Sequence, residues 1–256
     1  MDGAPPAANT EEPRGNQWAR RDWPERSLLG LLPGAARDRL LRRGVQVRYP
    51  APDRVLFRQG DESRHVAVIL CGIVKVTGSV PGSPDALLAI RMGGDAVGEF
   101  AAVDQLPRSA TVVTCGTVTA QVIQSGDFLD CLRRDPEISH AVNKSIVAKM
   151  RIASAHRVDF AGCNMQTRVT RVLYQLAVTY GTRDGNMSVI RWPLSQLELA
   201  SLVGGSQPAV HRVLRRLRGD GVVSTGYRTI TVLDVNELRS AAYDWSEPSA
   251  DREPAR

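Results

Sequence analysis

From Val45 to about Ile123 the chain falls into short runs in which valine and other apolar residues recur at every second position, with turn residues between many of them. Val45 and Val47 begin the pattern, followed by Val66, Val68 and Leu70, then Val74 and Val76, and Val112, Val113, Val118, Ala120 and Val122 carry it to about Ile123. Gly60-Asp61, Gly72, Gly78, Pro81-Gly82 and Gly93-Gly94 punctuate the runs. A period of two is the geometry of half-buried strands, whose successive side chains point to opposite faces. Many short strands with glycine turns specify an antiparallel roll or barrel. A helical pattern precedes it from Leu28 to Arg43, with Leu40 and Leu41 following Ala36.

After Ser125-Gly126-Asp127 the period becomes helical. Asp135 is placed to cap a helix, and Pro136 suits the first helical position, where a missing N–H costs nothing. From there to about Phe160 neither Gly nor Pro interrupts the chain, and Val142, Ile146, Met150 and Ala153 form an apolar stripe. A helix of that length exceeds what one small barrel covers, so a dimer through it is expected. Gly162-Cys163-Asn164 marks a hinge, and a second helix is expected from about Met165 to Tyr180, with Val169, Val172, Leu173, Leu176 and Ala177 inward. Gly181 to Gly185 reads as a loop and Ser188 to Trp192 as a short strand.

Ser195-Gln196-Leu197-Glu198 is a capping box, in which the serine hydroxyl and the glutamate carboxylate each accept a backbone N–H of the other. The short helix it starts ends at Gly204-Gly205, where a sharp reversal needs positive φ. Ser206 is expected to cap a second helix running to about Arg218, stopped by Gly219. Leu199, Leu202, Val203, Val210, Val213, Leu214 and Leu217 supply the contacts between the two, which is the spacing of a helix-turn-helix. Gly221 to Val235 follows as a two-stranded wing with Tyr227-Arg228 near its tip. In such a motif the start of the second helix meets base edges and flanking residues hold phosphates. Gln207, His211 and Arg212 are therefore the base-reading candidates, and Ser195, Ser206 and Arg215 the phosphate contacts. A winged helix used only for protein contacts is the alternative.

The segment from Gly98-Glu99 to Arg108-Ser109-Ala110-Thr111-Val112 encloses a short, mostly apolar loop with a charge of each sign at its ends. A cyclic nucleotide needs such a set. Its phosphodiester wants a fixed cation and donors, which Arg108, the Ser109 hydroxyl and backbone N–H groups supply, and its ribose hydroxyl wants an acceptor such as Glu99. The same pair also fits a purely structural ion pair.

The 256 residues suit two modest domains, and 43% hydrophobic with 23% charged residues is ordinary for a globular chain. No apolar run approaches the roughly 20 residues of a membrane helix, and the start of the chain lacks a hydrophobic signal segment, so a cytoplasmic protein is expected. The net charge of +6 is compatible with a polyanion. From Cys163 to Ser240 there are 10 Arg, no Lys and 5 acidic residues, so much of the excess is C-terminal. Cys71, Cys115, Cys131 and Cys163 are scattered without a CxxC pair, and the histidines are equally dispersed, so no metal site is expected. No nucleophile with its base, no paired acid and base carboxylates and no P-loop is present, so no catalytic residues are assigned and an enzyme is not expected.

With these residues in view the chain resembles the cAMP receptor protein/FNR (Crp/Fnr) family of bacterial transcription regulators, over roughly Leu28 to Leu238. Its anchors are Leu56-Phe57-Arg58-Gln59-Gly60-Asp61, the Gly98-Glu99 to Arg108-Ser109-Ala110 segment and the capped helix-turn-helix. The resemblance implies an α+β protein: a cyclic-nucleotide-binding β-roll, a long dimerisation helix and a C-terminal winged helix-turn-helix. It also implies homodimers on double-stranded DNA with near-palindromic sites, and makes RNA polymerase a candidate protein partner. The family's phosphate and ribose contacts match Gly98, Glu99, Arg108 and Ser109. Its base-contacting Thr-Ser pair on the long helix falls on Ala153-Ser154, so Ser154 is retained and the threonine is lost. The loop between Glu and Arg is one residue shorter than the prototype's. Gln207-Pro208 replaces the prototype's Arg-Glu, while Arg212 matches its next base-reading arginine. The cysteine cluster of the oxygen-sensing branch is absent.

The expected organisation is a disordered tail to 27, the roll over 28–135, the long helix and hinge over 136–162, the DNA-binding domain over 163–240 and a tail over 241–256. The function expected is allosteric, sequence-specific DNA binding, with cAMP or another cyclic nucleotide as effector and no cofactor required. Two rivals stand beside it: a constitutive or otherwise triggered regulator with a vestigial pocket, and a nucleotide-sensing module acting on a protein partner.

Overall fold

The computed structural model describes residues 23–82, 85–191, 195–226 and 229–243. Tyr227-Arg228 and Trp192 lie outside them, as do most of both expected tails. The N-terminal half is built on α1 (Leu28–Leu31), α2 (Gly34–Leu41), β1 (Val45–Tyr49), β2 (Val55–Phe57), β3 (Val66–Cys71), β4 (Ile73–Gly78), β5 (Ala86–Met92), β6 (Ala96–Val97), α3 (Glu99–Asp104), β7 (Thr111–Thr114), β8 (Val118–Ile123) and α4 (Ser125–Arg134). The long α5 (Pro136–Gly162) follows. The C-terminal half holds α6 (Met165–Tyr180), β9 (Thr182–Asp184), β10 (Met187–Arg191), α7 (Gln196–Leu202), α8 (Gln207–Gly219), β11 (Val223–Gly226), β12 (Thr229–Val232) and α9 (Val235–Tyr243).

Two antiparallel four-stranded sheets, ordered β1-β8-β3-β6 and β2-β7-β4-β5, make the roll. Val47, Phe57, Ile69, Val74, Val112 and Ala120 pack between them. Strand β3 departs from the half-buried expectation. Val66 to Leu70 are all buried, because Ala67 and Ile69 face the inter-sheet core while Val66, Val68 and Leu70 meet the helices behind it. Its sequence is accordingly a continuous apolar run, the mark of a strand covered on both faces.

The expected helix from Leu28 to Arg43 is two helices, broken at Leu32-Pro33 because a proline disfavours helical geometry in the residue before it. Order also begins before residue 28. Trp23 is buried, its indole N–H donates to the Leu70 carbonyl at 3.1 Å, and Arg37 lies over its ring. At the other end α9 carries the fold through Tyr243, so residues 241–243 are helical.

Helix α5 starts as the sequence dictates. The Asp135 carboxylate accepts from the N–H groups of Glu137 and Ile138, with Pro136 in the first turn. Ile138, Ala141, Val142 and Ser145 face the roll, at i, i+3, i+4 and i+7. Val147, Met150 and Val158 remain exposed on another stripe, so Met150 belongs outside and not with Val142. Asn164 caps α6 through Thr167.

In the C-terminal half the wing hairpin β11–β12 joins β10 and β9 into one antiparallel sheet ordered β11-β12-β10-β9. The Thr182–Asp184 stretch, expected as loop, is thus an edge strand. The capping box at Ser195 and Glu198 is present. Gly204 turns the chain at φ +62°, and a Cβ there would stand 3.1 Å from the Phe160 ring. Arg168 donates to the carbonyls of Val203 and Gly204, fastening that turn to α6. Ser206 occupies the N-cap position of α8 without a side-chain hydrogen bond, which corrects its expected capping role.

Candidate functional site

The segment expected as a loop at Gly98-Glu99 is a turn followed by a short helix. Gly98 sits at φ +84°, a conformation side-chain-bearing residues rarely adopt, and starts α3, whose first residue is Glu99. The main chain returns to Arg108 and enters β7. Phe57, Arg91, Gly98, Glu99, Arg108, Ser109 and Lys149 are among the residues lining a cavity of about 460 Å³, counting the solvent at its mouth.

Arg108 is 2% exposed. Its Nε donates to Ser63 Oγ at 3.2 Å, Nη1 to the Gly98 carbonyl at 3.0 Å and Nη2 to the His65 carbonyl at 2.7 Å. Its guanidinium lies 4.0 Å from the centre of the Phe57 ring. Among the described residues no carboxylate lies within 4.0 Å of it; Asp61 and Glu99 act only at longer range. Burial therefore pulls its pKa down from 12.5 to about 10. The same burial, with Arg108 alongside, lowers His65 from 6.5 to about 4 and keeps that imidazole neutral. A guanidinium out of water without a counter-ion favours any anion that enters beside it.

Glu99 is 5% exposed and accepts from Lys149 Nζ through Oε1 at 2.6 Å. The same ammonium donates to the Ala96 carbonyl at 2.8 Å. Sequence reading missed Lys149. The signal lay in α5, where Lys149 stands four residues after Ser145 and so prolongs the roll-facing stripe with a charge. Arg91, from β5, was missed too. The exposed Ser109 hydroxyl sits at the cavity wall. Gly98, Glu99, Arg108 and Ser109 are thus brought together as the spacing predicts. Ser154 is not among the lining residues: it is exposed on α5, on the stripe of Val147, Met150 and Val158.

At the other end Val210, Val213, Leu214 and Leu217 bury one face of α8 against the domain core. Gln207, His211, Arg212 and Arg215 lie exposed on the rest, and Ser195 is exposed at the start of α7. Among the described residues Arg212 and Arg215 form no ion pair, whereas Arg216 engages Asp220 and Gln166, and Arg218 donates to Thr225. Among the described residues no group of His, Cys, Asp and Glu is placed to hold a metal ion, and no helix is long and apolar enough to cross a membrane.

Residues 47–135 match the cyclic nucleotide-binding domain family, and residues 167–241 match the Crp-like helix-turn-helix domain. The chain belongs to the Crp/Fnr family. Curated relatives in this family include the CRP-like cAMP-activated global transcriptional regulator of Mycobacterium tuberculosis, 26% identical over 73% of this chain and 84% of that protein. The cyclic AMP receptor protein of Thermus thermophilus is 27% identical, with the same coverage. Among solved structures, FixK2 of Bradyrhizobium japonicum superposes with a TM-score of 0.67 at 15% identity, covering 77% of this chain and 96% of that one. The c-di-GMP-responsive global regulator CLP of Xanthomonas campestris superposes with a TM-score of 0.63 at 21% identity, covering 78% and 99%. This Crp/Fnr chain accordingly has the α+β fold of that family and is a DNA-binding transcription regulator.

Proposed function

We propose that the chain is a homodimeric, cytoplasmic, sequence-specific DNA-binding regulator whose DNA affinity is set by a cyclic nucleotide in the roll cavity. The observation that carries this reading is the buried Arg108 guanidinium, which has two N–H groups uncommitted and no carboxylate within ion-pair distance among the described residues. A phosphodiester held by Arg108, Ser109 and the backbone at Gly98 supplies the missing charge. Glu99 keeps one carboxylate oxygen for a ribose hydroxyl, the other being taken by Lys149. Relatives named for cAMP support that effector, while one structural neighbour is named for its response to c-di-GMP.

The exposed stripe of Val147, Met150 and Val158, with Ser154 between the last two, fits pairing of two α5 helices, since positions 147, 150, 154 and 158 recur three and four apart on one face. Ser154 then approaches a nucleotide only near the dimer seam. Gln207, His211 and Arg212 read base edges, and Ser195, Ser206 and Arg215 hold phosphates. RNA polymerase is the protein partner such a regulator addresses.

A second reading, a regulator with a vestigial pocket, is favoured by one observation. Glu99 is paired with Lys149, and Arg108 is fastened to two carbonyls of the protein itself. Calorimetric titration with cAMP, with cGMP alongside and Arg108→Ala as control, separates the two. Binding that Arg108→Ala abolishes supports the sensor, and no heat from either nucleotide supports the vestigial pocket.

A further inference from the structure

Arg91 puts a second arginine in the wall of the cavity that Arg108 serves. Strand β5 pairs with β4 so that Arg91 stands opposite Val74, and Val74 in turn faces Thr114 on β7. Residues directly opposite in a sheet share a face. Val74 packs in the core between the two sheets, so the Arg91 side chain leaves β5 on the inner face, while its neighbour Ile90 joins the core of the C-terminal half. An inner face calls for apolar residues, and a cation placed there needs an anion beside it.

The protein itself supplies little of that charge. Arg91 Nη1 donates to the Ile90 carbonyl at 2.8 Å, and among the described residues no carboxylate lies within 4.0 Å of the guanidinium. Asp95 and Glu99 act on it from longer range. Both are engaged elsewhere. Asp95 Oδ2 accepts from the Tyr180 hydroxyl at 2.8 Å and the Met92 N–H at 3.2 Å, and Glu99 is paired with Lys149 at 2.6 Å. The described cavity lining therefore sets three cations, Arg91, Arg108 and Lys149, against the one carboxylate of Glu99.

The two arginines are also set apart. Strands β5 and β7 flank β4, which separates their backbones by two strand spacings, about 10 Å. Arg108 precedes Thr111, the first residue of β7, whereas Arg91 is level with Thr114, the last. One phosphate seated on Arg108, Ser109 and the backbone at Gly98 answers one of the two charges. On the reading that the cavity holds a nucleotide, we propose that its ligand carries two separate phosphate groups, one on Arg108 and Ser109 and the other on Arg91, where a cyclic mononucleotide carries one. The planar fork of an arginine suits a phosphate, which it can hold through two parallel hydrogen bonds. Cyclic dinucleotides and linear nucleoside bisphosphates share this chemistry.

The test is calorimetric titration of the full-length chain with cAMP, with c-di-GMP and with adenosine 3′,5′-bisphosphate, at one ionic strength. One of the doubly phosphorylated ligands is expected to bind at least about 10-fold more tightly than cAMP, the size of one charge-assisted hydrogen bond. Which of them it is separates the ring from the open chain. Arg91→Met is expected to erase that preference, and Arg91→Lys, which keeps the charge without the fork, to restore part of it. Arg91→Gln stands in if Arg91→Met fails to fold. A parent chain that binds cAMP as tightly as both other ligands overturns the inference and leaves the sensor reading in place, as does a preference that survives in Arg91→Met. No heat from any of the three, in a chain that still unfolds cooperatively, overturns the nucleotide reading and this inference with it.

Discussion

Lys149 Nζ stands 2.6 Å from Glu99 Oε1, joining the middle of α5 to the first turn of α3 where both side chains are largely buried. The pair fixes the long helix against the cavity, so whatever shifts Glu99 is felt along α5. Removing one partner strands the other. Lys149→Met is expected to cost about 3–5 kcal/mol of folding stability, the usual penalty for a buried charge left alone. Lys149→Met with Glu99→Gln should recover a large part of that loss, as read from urea denaturation midpoints. Equal stability of the single and double variants counts against the pair as a structural element.

Gly98 meets two demands at once. Its φ is +84°, and a Cβ there would lie 2.5 Å from Arg108 Nη1 and 3.0 Å from the His65 carbonyl. Gly98→Ala is expected to cost about 1–2 kcal/mol from the left-handed backbone alone. It should also displace the guanidinium, so that nucleotide affinity falls toward that of Arg108→Ala. Truncating that charged donor is expected to lose about 1.5–3 kcal/mol of binding for each hydrogen bond it makes to the ligand. Titration calorimetry of both variants checks the comparison.

His65 makes the fold sensitive to mild acid. Its pKa is lowered from 6.5 to about 4, first by burial and then by Arg108, so the unfolded chain binds the extra proton over that interval. Stability from this group is complete above about pH 6.5 and is lost as pH falls toward 4. The pH slope of unfolding free energy between those values should be up to one proton smaller in His65→Gln than in the parent chain. Parallel slopes would remove His65 from the account.

Arg212 and Arg215 of α8, which form no ion pair among the described residues, should separate by role. Arg212→Ala is expected to cost about 1–3 kcal/mol on the preferred site and to relax specificity at one base pair. Arg215→Ala should weaken all sequences alike and lower the slope of log affinity against log salt by about 0.9. Binding isotherms on a selected site and its single-base variants, at several salt concentrations, distinguish them. Interchanged behaviour would reverse the assignments.

Local rules made much of this legible in advance. Asp135-Pro136 starts its helix where the residues say it must, and Ser195 with Glu198 forms the capping box its spacing demands. Gly98, Glu99, Arg108 and Ser109 meet at one cavity because a single turn and a short helix separate them. Each is an interaction between residues close in sequence, so the pattern itself carries the information. The break at Pro33 and the burial of β3 on both faces were equally local signals, read too coarsely.

Other features depend on residues that only the folded chain brings together. Lys149 reaches Glu99 across a separation of 50 positions, and Tyr180 reaches Asp95 across 85. Trp23 closes the helical layer by donating to a carbonyl 47 residues away. Which charges lose their water is likewise a property of the packed state, because desolvation is set by what surrounds a group and not by its neighbours in the chain. The residue types and turns determined a roll that gathers Gly98, Glu99, Arg108 and Ser109 at one cavity, and a helix-turn-helix. Tertiary packing decided that Arg108 is buried with no carboxylate within ion-pair distance among the described residues, that Arg91 and Lys149 share its cavity, and that β5 meets the helix beside the DNA reader.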